Sequence, residues 1–233
     1  MRAVLLAAGL GTRLRPLTLT TPKCLVPIHG KPLLEYWFEH IFAACIERAL
    51  VNTHWLPEKV EAYLAASPWF DRVDLVYEPE LLGTGGTVLA NREWLGQGPY
   101  LVAHADNLTD FDLATLVGVH ENRPSGCVMT MLAFRTDMPK TCGILGLRAD
   151  GIVESFHEKV ENPPGNLANA AVYVCEPEVT AFMGSLGKSF IDLSTEVIPH
   201  YMGRILSYET SGYHRDIGNP EALALAEKEF RPR

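Results

Sequence analysis

The chain has 233 residues, 47% of them hydrophobic, and a formal net charge of −8. That length supports one substantial core. An acidic balance with no basic block disfavours a nucleic-acid partner, and no apolar run approaches the ~18 residues of a membrane span. The N-terminus carries no signal-peptide pattern, so a cytoplasmic location is expected. Five widely spaced cysteines (Cys24, Cys45, Cys127, Cys142, Cys175) include no C-x-x-C pair. They are expected to be free thiols packed as small hydrophobes, not disulfides or zinc ligands.

Residues 2–8, apolar throughout after Arg2, form a run ending at glycine, as in a strand buried on both faces of a parallel sheet. A glycine-rich loop follows, and Pro22 and Pro27 keep the chain irregular beyond it. A helix is predicted from Pro32 to about Cys45, with proline in its first turn. The pattern then gives a strand at 49–53, a helix at 58–66, a strand at 73–77, a helix at 86–94 and a strand at 100–105 that stops at Asp106. Such alternation implies βαβ crossovers and a mainly parallel sheet covered on both sides. From Cys127 the texture changes to strands at 128–134, 143–147, 152–158 and 170–174 with short connections. Asp150-Gly151 is a hairpin-turn signal, and Asn162-Pro163-Pro164-Gly165-Asn166 reads as a loop. Asn219-Pro220 caps a final helix running to about Phe230. One domain over residues 1–233 is expected, and without hexapeptide repeats no C-terminal β-helix domain is expected.

The loop reads Ala7-Ala8-Gly9-Leu10-Gly11-Thr12-Arg13-Leu14-Arg15-Pro16. Two glycines after a buried strand let backbone N–H groups approach a phosphate. The letters do not make a Walker A loop, and Leu14 stands where a dinucleotide fingerprint needs its third glycine. Arg13, Arg15 and Lys23 place three cations beside the cradle, which suits a triphosphate better than an adenine dinucleotide. The competing reading is a solvated βα loop with incidental cations.

The string from Gly9 to Thr18, followed by Pro22-Lys23, resembles the signature of the nucleotidyltransferases that make NDP-sugars. These include the glucose-1-phosphate thymidylyl-, mannose-1-phosphate guanylyl- and muramate-1-phosphate uridylyltransferases. Leu82-Gly83-Thr84-Gly85-Gly86 resembles the family's base-contacting segment, and Glu158-Lys159 and Asn169-Ala170-Ala171-Val172-Tyr173 its sugar-phosphate segments. The resemblance implies a Rossmann-like three-layer α/β/α fold with a mainly parallel mixed central sheet. Residues 1 to about 110 would form the nucleotide-binding half, and about 111–233 the sugar-phosphate half with the final helix.

Asp106 ends a strand, where open α/β sheets bind ligands, and Asp216 precedes the capped final helix. Two such acids fit the demands of Mg²⁺, which takes one or two carboxylates and completes its shell with phosphate and water. Each also has a plainer reading: Asp106 as a turn or cap residue, Asp216 as a partner of Arg215. By resemblance, both match the aspartates that hold the catalytic Mg²⁺. The chain departs from the family in having Ala105, not glycine, before the first aspartate.

The implied reaction joins an NTP and a sugar 1-phosphate to give an NDP-sugar and pyrophosphate. Arg13 and Lys23 would be catalytic. Ala7, Ala8, Gly9, Gly11, Thr12, Arg13, Lys23, Glu78, Gly83, Thr84 and Asp106 would bind the nucleotide. Gly143, Glu158, Lys159 and Asn169 would bind the sugar phosphate, with Lys159 on the phosphate itself. Glu78 matches a family position near the base. A carboxylate only accepts hydrogen bonds, which suits the N1–H and N2–H₂ donors of guanine, so GTP with a mannose-type or other hexose or heptose 1-phosphate leads. UTP with an amino-sugar 1-phosphate such as N-acetylmuramate 1-phosphate is the alternative, since uridylyl enzymes also carry an acid there. A sensor that binds a sugar nucleotide without catalysis, and a Rossmann-type oxidoreductase, are the readings from other classes. Oligomeric state is not readable from the sequence.

Overall fold

The computed structural model describes residues 1–231 of the chain. Its strands begin with β1 (Arg2–Leu6), β2 (Pro27–Ile28), β3 (Lys31–Pro32), β4 (Arg48–Thr53), β5 (Val73–Tyr77), β6 (Tyr100–His104) and β7 (Asn107–Thr109). They continue with β8 (Met129–Arg135), β9 (Gly143–Leu147), β10 (Val153–Glu158), β11 (Leu167–Cys175), β12 (Ile205–Glu209) and β13 (His214–Asp216). The helices are α1 (Leu33–Ala43), α2 (Pro57–Ala65), α3 (Gly83–Ala90), α4 (Arg92–Leu95), α5 (Leu113–Glu121), α6 (Pro177–Ser185) and α7 (Pro220–Glu229). The residues group into two units. One holds Met1–Leu81, Ala103–Leu113 and the chain from Gly212; the other holds Leu82–Val102 and Ala114–Ser211.

In the first unit β1, β4 and β5 run parallel, with Leu6 opposite Asn52 and Thr53 opposite Tyr77. Ala3, Val4, Leu5, Ala49 and Val51 are completely buried, which explains the apolar stretches 3–6 of β1 and 49–51 of β4. Helix α1 buries Leu33, Leu34, Trp37, Phe38 and Ile41, and Trp37 Nε1 donates to the Asn107 carbonyl at 2.9 Å. Asn219 caps α7 by accepting from the Ala222 N–H at 2.7 Å, with Pro220 at N1 as expected. Ala226 and Phe230 of that end of the chain close a core with Leu14, Val26 and Ile28. Strand β13 pairs antiparallel with β7, setting Asp216 opposite Asn107. The Ile217 N–H then donates to the Asp106 carbonyl at 3.0 Å. Two aspartates far apart in sequence thereby become neighbours.

The second unit is mostly antiparallel. Strand β11 pairs with β8, β9 pairs with β10, and β12 joins β8 in parallel. The connection at Asp150-Gly151 is the expected turn, with Gly151 at φ 81° and its N–H on the Arg148 carbonyl at 3.0 Å. Strand β11 is longer than expected and breaks register between Asn169 and Tyr173. The helix expected at 86–94 is two helices, α3 and α4. They part at Asn91, whose side chain donates to the Thr87 carbonyl at 2.8 Å. Helices α5 and α6 and strand β12 lie outside the sequence expectations, although Pro177 at the start of α6 is an ordinary first-turn signal. All five cysteines are free, but only Cys24, Cys127 and Cys175 are buried; Cys45 is exposed and Cys142 half-buried. The expectation that all five pack inside fails for those two, because Cys45 sits at a positive-φ turn after α1 and Cys142 just ahead of β9. Among the described residues no helix is long and apolar enough to cross a membrane.

Candidate active site

The loop after β1 is held at several points in the first unit. The Ala7 N–H donates to Asn52 Oδ1 at 2.7 Å. Gly11 has φ +61°, and a Cβ there would lie 2.8 Å from Thr18 Cγ2, so glycine is required twice over. Thr18 Oγ1 returns a hydrogen bond to the Gly11 carbonyl at 2.7 Å. Thr12–Leu14 is a single 3₁₀ turn and not the start of an α-helix, as the dinucleotide reading would need. Trp55 Nε1 donates to the Thr18 carbonyl at 2.8 Å, and Lys59 Nζ donates to that of Thr20. Gly9 has nothing within 4 Å of where a Cβ would stand, and Ala8 is buried.

Charge gathers beyond this loop. Lys23 has a side chain only 8% exposed; its Nζ donates to Asp106 Oδ2 at 2.5 Å and to Asp216 Oδ1 at 3.1 Å. Arg13 Nη2 lies 3.7 Å from Asp216 Oδ2. Gly218 makes room for that approach, because a Cβ there would stand 2.7 Å from Asp216 Oδ2 and 2.8 Å from Arg13 Nη2. Burial works to raise the Asp106 carboxyl, but the Lys23 ammonium, His104 and the hydrogen bond from Lys23 outweigh it and hold it below the ordinary carboxylate range. Burial likewise works to lower Lys23, and the charges of Asp106 and Asp216 overcome it and push the lysine upward. His214, buried near Asp106 and His104, is driven down to about 3 by desolvation. Arg215 turns to the Tyr213 hydroxyl and Glu229, while Asp216 meets Lys23 and Arg13.

Glu78 follows β5 in the same unit and is 3% exposed. It accepts from Asn52 Nδ2 at 3.0 Å, and its carbonyl is 2.7 Å from His54 Nδ1. Gly83 and Thr84 open α3 in the second unit. A Cβ on Gly83 would lie 2.5 Å from the Ile191 carbonyl oxygen, and Thr84 Oγ1 accepts from the Leu193 N–H at 2.7 Å. Within that unit these two positions therefore have a packing role against residues 191–193.

The four sugar-phosphate candidates also lie in the second unit. Gly143 is paired with Glu158 across β9 and β10; a Cβ on it would run into the Phe156 ring and stand 2.6 Å from Glu158 Oε2. Lys159 takes φ 48°, and its Nζ is 3.1 Å from Glu158 Oε1. Asn169 folds over the irregular part of β11, accepting from the Ala171 N–H at 2.9 Å and donating to the Tyr173 hydroxyl at 2.7 Å. Ala171 itself has φ 54°, a costly conformation for a residue with a Cβ.

The family model described as nucleotidyl transferase matches residues 2–231. The chain belongs to the nucleotidyl transferase family. A mannose-1-phosphate guanylyltransferase of Mycobacterium tuberculosis is 34% identical over 224 residues, which cover 94% of this chain and 61% of that protein. An N-acetylmuramate alpha-1-phosphate uridylyltransferase of Caulobacter vibrioides is 32% identical over 234 residues, covering 97% of this chain and 95% of its own. The chain thus spans about 61% of the length of the guanylyltransferase and nearly all of the uridylyltransferase. The crystal structure of HddC from Yersinia pseudotuberculosis complexed with GMP-PN shares the fold, with a TM-score of 0.78 at 23% identity and 99% of each chain covered.

In this nucleotidyl transferase the first unit brings Arg13, Lys23, Asp106 and Asp216 together and joins Ala7 to Glu78 through Asn52. Sequence reading assigns no role to Asn52, Thr18, Trp55 or Gly218. Gly218 carries a local signal, a glycine closely following an expected metal ligand. The other three act through partners that only the folded backbone brings near.

Proposed function

We propose that this chain transfers a nucleoside monophosphate from an NTP to a sugar 1-phosphate, giving an NDP-sugar and pyrophosphate. The observation that carries the reading is the convergence of two carboxylates and two cations: Asp106 and Asp216 on Lys23 at 2.5 and 3.1 Å, with Arg13 beside Asp216 at 3.7 Å. A phosphate monoester dianion is already a nucleophile, so the reaction needs alignment and charge neutralisation and no general base. An oxygen of the sugar phosphate attacks the α-phosphorus in line, and the bond to the leaving pyrophosphate breaks. Arg13 neutralises the triphosphate and the developing pyrophosphate charge, and Lys23 acts at the reacting phosphates. Lys159 holds the incoming sugar phosphate, with Gly143, Glu158 and Asn169 around the sugar.

The donor set suits Mg²⁺: two carboxylates already share one cation, Lys23, and oxygen ligands of that kind are what the ion selects. Asp106 and Asp216 would hold it, and when bound it supplies charge to the phosphate oxygens. For the base, an acceptor-only Glu78 favours guanine donors, and the reading is a guanylyltransferase acting on a mannose-type 1-phosphate. The test is pyrophosphate release from four NTPs against several sugar 1-phosphates. GTP with mannose 1-phosphate is expected to lead. A dominant rate with UTP and N-acetylmuramate 1-phosphate would replace that pair. No release with any pair, alongside retained binding of a sugar nucleotide, would make the chain a sensor.

A further inference from the structure

Three parallel strand ends meet at one side chain. Ala7 is the residue after β1, Asn52 the penultimate residue of β4, and Glu78 the residue after β5. Register places Leu6 opposite Asn52 and Asn52 opposite Val76, so the amide of Asn52 stands between the outgoing ends of its two neighbours. It is 3% exposed. Its oxygen accepts from the Ala7 N–H at 2.7 Å, and its nitrogen donates to Glu78 Oε1 at 3.0 Å.

The two partners fix the orientation of the amide. A backbone N–H can only donate and a carboxylate can only accept. A flipped amide would set NH₂ against N–H and carbonyl oxygen against carboxylate, losing both bonds in a buried site. We infer that Asn52 is a positioning residue that couples the glycine-rich phosphate loop to the base-side carboxylate Glu78, so that triphosphate placement and base choice are set by one hydrogen-bond relay. The inference rests on the nucleotidyl-transfer reading above.

The neighbours on the same strand end support a shared function. The Glu78 N–H donates to the Thr53 carbonyl at 2.8 Å, and His54 Nδ1 is 2.7 Å from the Glu78 carbonyl, so the Glu78 backbone is held on both sides. Asn52 also holds one oxygen of the Glu78 side chain, the group that the reading above sets at the base edge. The structure therefore links the start of the phosphate loop to the base-side acid without passing through solvent.

The experiment compares wild type with Asn52→Ala, Asn52→Asp, Glu78→Gln and the double variant Asn52→Asp/Glu78→Gln. The carboxylate of Asn52→Asp still accepts from the Ala7 N–H but faces Glu78 with a second negative charge. In the double variant an amide again lies opposite an acceptor, with the polarity of the second bond reversed. Each protein is assayed for kcat, for KM of every NTP and of the sugar 1-phosphate, and for direct NTP affinity by calorimetry. Asn52→Asp is expected to raise the NTP KM roughly tenfold or more, the scale for losing a buried hydrogen bond to a charged group. It should also compress the preference between NTPs while leaving the sugar-phosphate KM near wild type. The double variant should recover most of the lost NTP affinity with a base preference different from wild type. Independent, additive losses in the double variant, or unchanged base preference in Asn52→Asp and Asn52→Ala, would overturn the relay. If wild type itself turned over no pair and bound no NTP, the catalytic reading would fall first and take the relay with it. An active wild type with an indifferent Asn52 would remove the relay alone.

Discussion

In the first unit the candidate chemistry is assembled from formal charges, and in the second from bends of the backbone. Lys23, Asp106, Asp216 and Arg13 neutralise one another within hydrogen-bonding or ion-pair distance. Gly143, Lys159, Asn169 and Ala171 instead depend on a missing Cβ, two positive φ angles and a register break in β11. Coulomb energy varies slowly with distance, so a charge cluster tolerates small displacements but not the loss of a member. A close-packed bend has the opposite weakness, because added atoms have nowhere to go. The two units should therefore fail in different ways.

The largest effect is expected where charge is removed. Asp106→Asn and Lys23→Met should each lower turnover at least ~100-fold while circular dichroism reports a folded chain. Near-normal turnover in either would take that residue out of the mechanism. A smaller loss should follow from one added methyl group in the second unit. Gly143→Ala forces its Cβ toward the Phe156 ring and Glu158, and overpacking of that kind costs about 1–3 kcal/mol. The sugar-phosphate KM should rise about tenfold with the NTP KM unmoved. A rise in both constants would erase the division of labour between the units.

The smaller pH effect concerns the second unit alone. His120 is 1% exposed, with Nδ1 2.9 Å from Thr130 Oγ1 and Nε2 3.2 Å from Glu176 Oε1. Burial, followed by the Arg123 charge, holds its pKa below the ordinary histidine value despite Glu176. The unfolded chain then binds the proton first as pH falls. The stability contribution is complete above the unfolded value of about 6.5 and is lost as pH drops toward the folded one. Melting curves at pH values of about 7.5 and about 5, on either side of that unfolded value, should show a smaller acid-induced drop in Tm for His120→Gln than for wild type. Equal drops would assign the acid sensitivity elsewhere.

Legibility follows the range of each interaction. The glycine-rich loop and the strand leading to Asp106 are short strings whose meaning is local, and both are readable. The nearness of Asp216 to Asp106 comes only through family resemblance, because the pairing of β13 with β7 that creates it is non-local. Asn52 is one polar letter at the end of an apolar strand, and its role emerges only when the register of three strands is known. The bend at Ala171 carries no glycine or proline to announce it. Strand β12 escapes the sequence because it is half-buried and pairs with β8, far earlier in the chain and out of reach of any local pattern.

The glycine-rich loop resembles a rope bridge moored on one bank. Asn52 and Trp55, close together in sequence, hold its Ala7 and Thr18 ends, and Lys59 secures Thr20. Between the moorings a Cβ on Gly9 would touch nothing, and Leu10 is exposed. Position 9 can therefore change without disturbing those anchors. Alanine at position 9 meets no atom and needs no left-handed backbone, so it should restrict the unfolded chain and raise stability by about 0.4–1 kcal/mol. A melting curve of Gly9→Ala no higher than wild type would show that the open span relies on glycine's backbone freedom.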